Sequence, residues 1–274
     1  MRRSVVLIFV CAVLGAVTAS FAEDAEFTVV KDLAYGDHVR QVLDIYSPAA
    51  IGPDTPVIVY FHGGAWRYGT KAALPDWGKS FARAGMIFVA PNYRLSPDGR
   101  FPDFAEDAAA AVAYALNVLR TDAGGYRAAF LAGWSAGGYN AAIVAYDERL
   151  LAEHGIQKGT VSGLIGLSGP YEGGLCAGVR CAHIFPEELR ADWTVAVHVD
   201  SDDPPMLLIA AEQDPYVPAR HHEDLAEAAR RVGLEAQVLV LPSNSHYASR
   251  NAVLDRDGEA RTMIDQFIAD QTAR

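Results

Sequence analysis

The chain has 274 residues, 51% of them hydrophobic, and 34 acidic residues against 23 basic ones give it a formal net charge of -11. That is apolar material for one sizeable core. The acidic balance argues against nucleic acid or an anionic membrane as partner, because no phosphate-neutralising face is on offer.

The first 22 residues stand apart. Arg2 and Arg3, the apolar run VVLIFVCAVLGAV and the small residues ending TASFA, with no acid before Glu23, read as a secretory signal peptide cleaved after Ala22. Thr18 and Ser20 cut the run below the ~20 apolar residues that a retained membrane anchor needs. The expected product is an exported protein, periplasmic or secreted. From 23 to 274 no repeat or long linker interrupts the pattern, which predicts a single domain.

Strand-like runs follow in order: FTVV from Phe27, QVLDIY from Gln41, VIVYFH from Val57, MIFVA from Met86, AAFLAG from Ala128, GLIGLS from Gly163, MLLIAA from Met206 and AQVLVL from Ala236. Helical patterns fill the gaps after the third: ALPDWGKSFARAG ending at Gly85, DFAEDAAAAVAYALNVLR from Asp103, AGGYNAAIVAYD from Ala136, ARHHEDLAEAARRVG from Ala219 and EARTMIDQFIADQ near the end. Two strands and then alternation predict an α/β fold, with a mostly parallel central sheet, helices on both faces and a leading antiparallel hairpin. The stretch 170–199 fits neither pattern and reads as a short cap insertion. Within it Cys176 and Cys181, spaced C-x4-C, predict a disulfide in an exported protein. His183 nearby makes a zinc site conceivable, but no fourth ligand is visible, so no metal and no cofactor are expected.

In an open α/β sheet, ligands bind beyond the carboxyl ends of the strands. Four strand ends here carry chemistry: HGGAW from His62, GWSAG around Ser135, EQDPYVP with Asp214, and PSNSHYAS with His246. A serine hydroxyl needs a base, and neutral imidazole is suited to that near neutral pH. The imidazole in turn needs a carboxylate to fix its tautomer and stabilise its protonated form. Glycines at 133 and 137 would leave room for a sharp strand-to-helix turn beneath Ser135. The backbone N–H groups of Gly64, Ala65 and Ala136 are the candidate donors to a developing oxyanion. A bare G-x-S-x-G turns up by chance in roughly one chain of this length in ten. The ordered serine, acid and histidine at successive strand ends make the signal specific.

Through FHGGAWRYGTK, APNYRLSP, FPDFAEDAAAAVAY, GWSAGGYNAA, GLSGPY and DDPPMLLIAAEQDPYVP, the sequence resembles the carboxylesterase side of the α/β-hydrolase superfamily, in its hormone-sensitive-lipase-like, feruloyl-esterase-like and kynurenine-formamidase-like groups. The resemblance runs from about Phe61 to His246. It implies Ser135, Asp214 and His246 as catalytic triad, with Gly64, Ala65 and Ala136 around the oxyanion. Three positions depart from the family pattern: Ala65 for a glycine in H-G-G-G, Ala211 before the acid's loop, and Ser245 before the histidine. A serine carboxylesterase acting on small or soluble esters through an acyl-enzyme is the expected function. The rivals are an arylformamidase-like amidase, suggested by H-G-G-A-W, and a catalytically silent binding protein on the same fold.

Other residues compete for attention. Trp66 is expected to line the pocket and Trp134 to be packing. His62 reads as a structural hydrogen-bonder, and His221 and His222 as a solvated helix face. Asp200, Asp202 and Asp203 read as a solvated acidic loop, and Arg94 as a partner for Asp103 or Asp107.

Overall fold

The computed structural model describes residues 26–122, 125–176 and 178–274, so the signal-peptide reading of 1–22 lies outside the described residues. Among the described residues, ten strands and eight α-helices follow in chain order: β1 (Phe27–Ala34), β2 (Val42–Pro48), β3 (Val57–Phe61), α1 (Pro75–Arg83), β4 (Ile87–Pro91), α2 (Asp103–Asp122), β5 (Ala129–Trp134), α3 (Ala136–Tyr146), α4 (Glu148–Ala152), β6 (Val161–Leu167), β7 (Leu175–Cys176), β8 (Val179–Arg180), α5 (Arg190–Trp193), β9 (Met206–Ala211), α6 (Arg220–Arg231), β10 (Ala236–Leu241), α7 (Ala248–Ala252) and α8 (Glu259–Thr272).

Eight strands form one sheet in the order β1-β2-β4-β3-β5-β6-β9-β10. β1 pairs antiparallel with β2, and β2 antiparallel with β4; every later pairing is parallel. The inner strands are continuous apolar runs because both of their faces are covered. Along β3, Val57, Val59 and Phe61 enter one core layer while Ile58 and Tyr60 enter the other. The first layer is closed by α2, α3 and α6 and the second by α1 and α8.

From β3 the chain moves outward to β4, then crosses back to lay β5 on the other side of β3. The order therefore reverses between β3 and β5. That reversal opens a crevice at their carboxyl ends, where HGGAW and Ser135 stand.

The segment 170–199 folds into the β7–β8 hairpin, 3-10 turns and α5, with Cys176 and Cys181 joined as a disulfide. It is anchored by aromatic packing. Phe185 meets Trp66 edge-on at 4.7 Å and Tyr139 at 5.4 Å, and Tyr139 Oη–H donates to the Trp193 carbonyl at 2.6 Å. Ile184, Phe185, Trp193 and Val195 all belong to the first core layer.

Some polar residues lie elsewhere than the sequence suggests. His221 and His222 are 1% and 0% exposed, so the solvated-face reading is wrong. They continue the buried stripe of Leu225, Ala226 and Ala229 one turn back along α6. In the acidic loop Asp200 and Asp202 are exposed, as expected, whereas Asp203 is buried and accepts the Asp200 N–H, with Lys158 against Asp200 and Asp203. Arg94 bridges both Asp103 and Asp107. Among the described residues no helix is long and apolar enough to cross a membrane.

Candidate active site

Ser135 sits between β5 and α3 at φ 56°, ψ -122°, a conformation that few non-glycine residues adopt. Two backbone hydrogen bonds hold it there: its N–H donates to the Leu167 carbonyl at 2.8 Å, and its carbonyl accepts from Tyr139 N–H at 3.1 Å. The turn closes because the flanking positions are glycine. A Cβ on Gly137 would lie 2.0 Å from the Phe61 carbonyl oxygen, and one on Gly133 would lie 2.3 Å from the Gly137 carbonyl.

His246 follows β10 on a loop that α7 anchors to the sheet. Ser249, fully buried, shares a 2.7 Å hydrogen bond with Ser168 at the end of β6, and Trp134 Nε1–H donates to the His246 carbonyl at 3.1 Å. The imidazole is then set between two partners. Nε2 lies 2.9 Å from Ser135 Oγ and Nδ1 2.7 Å from Asp214 Oδ2. With Asp214 ionised, Nδ1 carries the proton, which leaves Nε2 free to accept from the serine hydroxyl.

Asp214 follows β9 and is 6% exposed. Burial alone would raise its pKa, but the His246 hydrogen bond, with the N–H groups of Val217 and Tyr216 on Oδ1, outweighs that and holds it below the ordinary carboxylate value. Rings of Trp134, Tyr216 and Tyr247 surround the imidazole, with centroids 4.9, 5.5 and 6.1 Å away.

The HGGAW loop after β3 is strained in its own way: Ala65 and Trp66 hold φ values of 53° and 55°. A backbone that turns its amides this way at a strand end makes a concavity for an anion. Ala136 is the first residue of α3, where N–H groups have no partner within the helix. His62 supports the loop. Arg40 is a pure donor and lies 3.4 Å from His62 Nε2, so Nδ1 bears the hydrogen and gives it to the Gly63 carbonyl at 2.8 Å. Burial pushes this imidazole down to about 4, and it stacks on Tyr93 at 4.5 Å.

The two tryptophans exchange their expected places. Trp66 is 0% exposed, its indole N–H donating to Asn140 Oδ1 within the aromatic cluster, so it does not line the cleft. Trp134 is only partly buried and faces the cleft beside His246. His183 meets Arg67 at 2.5 Å across the surface between the insertion and the HGGAW loop. Among the described residues no group of three or more His, Cys, Asp or Glu side chains is placed to hold a metal ion. Sequence reasoning missed the Ser168–Ser249 pair and the Asp214-capping amides, since neither leaves a motif.

Two family models match in succession, BD-FAE over residues 43–171 and TAP-like protein over 174–270. Among curated proteins, the probable isoprenylcysteine alpha-carbonyl methylesterase ICMEL1 of Arabidopsis thaliana is 25% identical over 242 residues, covering 80% of this chain and 51% of that protein. Kynurenine formamidase of Danio rerio is 30% identical over 113 residues, covering 41% of this chain and 37% of that protein. The chain thus spans about half the length, or less, of these curated relatives. Among solved structures, a truncated form of carbohydrate esterase from gut microbiota superposes with a TM-score of 0.76 at 20% identity, covering 92% of this chain and 99% of that one, a likeness of fold. With a sheet that reverses order between β3 and β5, a strained turn after β5 and family matches over residues 43–171 and 174–270, the chain has the α/β-hydrolase fold and is similar in sequence to its carboxylesterase side.

Proposed function

We propose that the protein is an exported serine carboxylesterase hydrolysing small or soluble esters through an acyl-enzyme. The reading rests chiefly on the continuous path from Asp214 Oδ2 to His246 Nδ1 at 2.7 Å and from His246 Nε2 to Ser135 Oγ at 2.9 Å. Ser135 Oγ attacks the ester carbonyl as His246 Nε2 takes its proton, and the carbonyl electron pair moves onto oxygen. The N–H groups of Ala136, Gly64 and Ala65 receive that oxyanion, each donor worth about 3 to 4 kcal/mol in comparable sites. His246 then returns the proton to the departing alkoxide, and Asp214 stabilises the imidazolium in between. Water repeats the sequence on the acyl-enzyme and frees the acid.

The esterase relatives support the reading, as does the segment 170–199, which we take as a disulfide-pinned cap at the edge of the cleft. An amide-cleaving variant of the same chemistry is favoured by one observation, the stretch shared with a kynurenine formamidase. The decisive assay is hydrolysis of p-nitrophenyl acetate and of formanilide by the purified protein beside Ser135→Ala. Ester turnover that falls by about 10⁴-fold or more in the variant is expected. Turnover of formanilide alone would transfer the assignment to an amidase, and a folded protein inert to both would point to a binding role.

A further inference from the structure

Against the HGGAW loop lies a cavity of about 330 Å³ that the proposed mechanism leaves unused. Gly63 and Gly64 line it on the loop side. Trp134 and Tyr247, the chain neighbours of Ser135 and His246, line it as well, and Tyr68 adds a third aromatic ring. The cavity therefore adjoins the candidate reacting groups.

Two polar groups in its lining have no partner for their chemistry. The Arg250 guanidinium has no carboxylate within ion-pair distance among the described residues, in a chain where 34 acids outnumber 23 bases. It lies 4.6 Å from the Trp77 ring centroid and 5.4 Å from that of Trp134, contacts that fix its plane and leave N–H edges for a planar anion. Tyr60, at the end of β3, is 3% exposed, and its hydroxyl has no hydrogen-bond partner although the residue lines the cavity. A buried donor of this kind is costly unless something fills the space in front of it. Burial also pushes the Tyr60 phenol up, so it remains a donor at neutral pH.

One cation, one buried donor and three aromatic walls specify a flat monoanion. We propose that this cavity binds a carboxylate carried on an aryl leaving group, with Arg250 pairing to the anion, Tyr60 donating to it, and Tyr68, Trp134 and Tyr247 packing against the ring. The leaving side is indicated because His246 must protonate the departing oxygen, and Tyr247 is the next residue along. The inference rests on the serine-esterase reading and narrows it to esters of hydroxyaryl carboxylic acids. Such a hydrolysis consumes water and releases a carboxylic acid and a hydroxyaryl carboxylate.

The test compares 3-acetoxybenzoate with its uncharged counterpart 3-acetoxybenzamide, using the whole purified protein. In the parent, kcat/KM should favour the carboxylate by about tenfold or more, a range typical of charge-assisted recognition. Arg250→Gln should bring that ratio to within about twofold of unity, and Tyr60→Phe, which removes only an unpartnered hydroxyl, should lower it while keeping the fold. Calorimetry on Ser135→Ala should show 3-hydroxybenzoate binding that is lost when Arg250→Gln is added, and no comparable binding of 3-hydroxybenzamide. Turnover of p-nitrophenyl acetate with no preference for the charged ester would overturn the cavity assignment alone. Arg250-dependent binding of 3-hydroxybenzoate without turnover of any ester would overturn the esterase reading alone.

Discussion

At Ser135 the backbone conformation costs on the order of 1–3 kcal/mol, and the contacts of Gly133 and Gly137 maintain it. Gly137→Ala would press a methyl group into the Phe61 carbonyl, a contact that cannot relax because it involves backbone on both sides. The expected outcome is a destabilised protein, by about 2 kcal/mol or more, whose remaining folded fraction has lost the Ser135–His246 hydrogen bond. Chemical denaturation beside a p-nitrophenyl acetate assay checks both. Single residues were unevenly legible from sequence. Ser135, Asp214 and His246 could be named because each occupies a strand end, where side-chain type and position together have meaning. Trp66 and Trp134 could not be sorted, because each adjoins a loop residue of interest and only packing decides which ring turns inward. The Trp66 indole found Asn140 in the first core layer; the Trp134 indole was left at the surface holding the His246 loop.

Among the elements, all eight strands of the main sheet were readable, and β9 and β10 to the residue, because the inner parallel strands are unbroken apolar runs and the edge strands β1 and β10, though largely unburied, keep β-branched and apolar residues between turn residues and charges. What escaped was short. α4, α5, α7 and the β7–β8 hairpin are each too brief to show a period, and tertiary contacts define them. The hairpin has a testable part in the site. A Cβ on Gly178 would come within 3.5 Å of the Pro215 and Tyr216 carbonyl oxygens, on the loop that carries Asp214. Replacing Cys176 and Cys181 by serine should cost about 2 kcal/mol for so small a closed loop. Loosening the hairpin should also change KM for bulky esters more than for acetate esters. Equal effects on both, measured with and without reductant, would remove the cap from the account of specificity.

The molecule as a whole should be acid-sensitive for a reason that its net charge does not reveal. Burial pushes His62 down to about 4 and His222 to about 3, and lowers His221 as well. In the unfolded chain these imidazoles protonate near pH 6.5. As pH falls from about 6.5 towards 4, the unfolded state therefore takes up protons that the folded state refuses, and stability drops by up to about 1.4 kcal/mol per pH unit for each such histidine. Asp214 is shifted in the same direction but acts at lower pH: its depressed pKa contributes stability that is present above the ordinary carboxylate value and lost as pH falls through the folded value beneath it. Thermal melts should thus be flat above about pH 7 and fall across the histidine window. His222→Phe, which keeps the edge-on contact with Tyr171 and removes two unpartnered ring nitrogens, should melt higher at pH 5 and show a shallower pH dependence. An unchanged slope would assign the acid response elsewhere.

The aromatic cluster beneath the insertion has a consequence for how this protein could acquire new substrates. Phe185 and Trp193 sit in the same packed layer as Trp66, Phe104 and Tyr139, so the insertion that we take as the cap is also a structural beam. A loop transplanted from a relative would arrive without the rings that fit those sockets, and the graft would fail by unfolding before its selectivity could be read. Successful swaps should be those that move the sockets together with the loop, and random diversification should survive best between Cys176 and Cys181, where the chain is tied at both ends and the intervening Val179 and Arg180 are exposed.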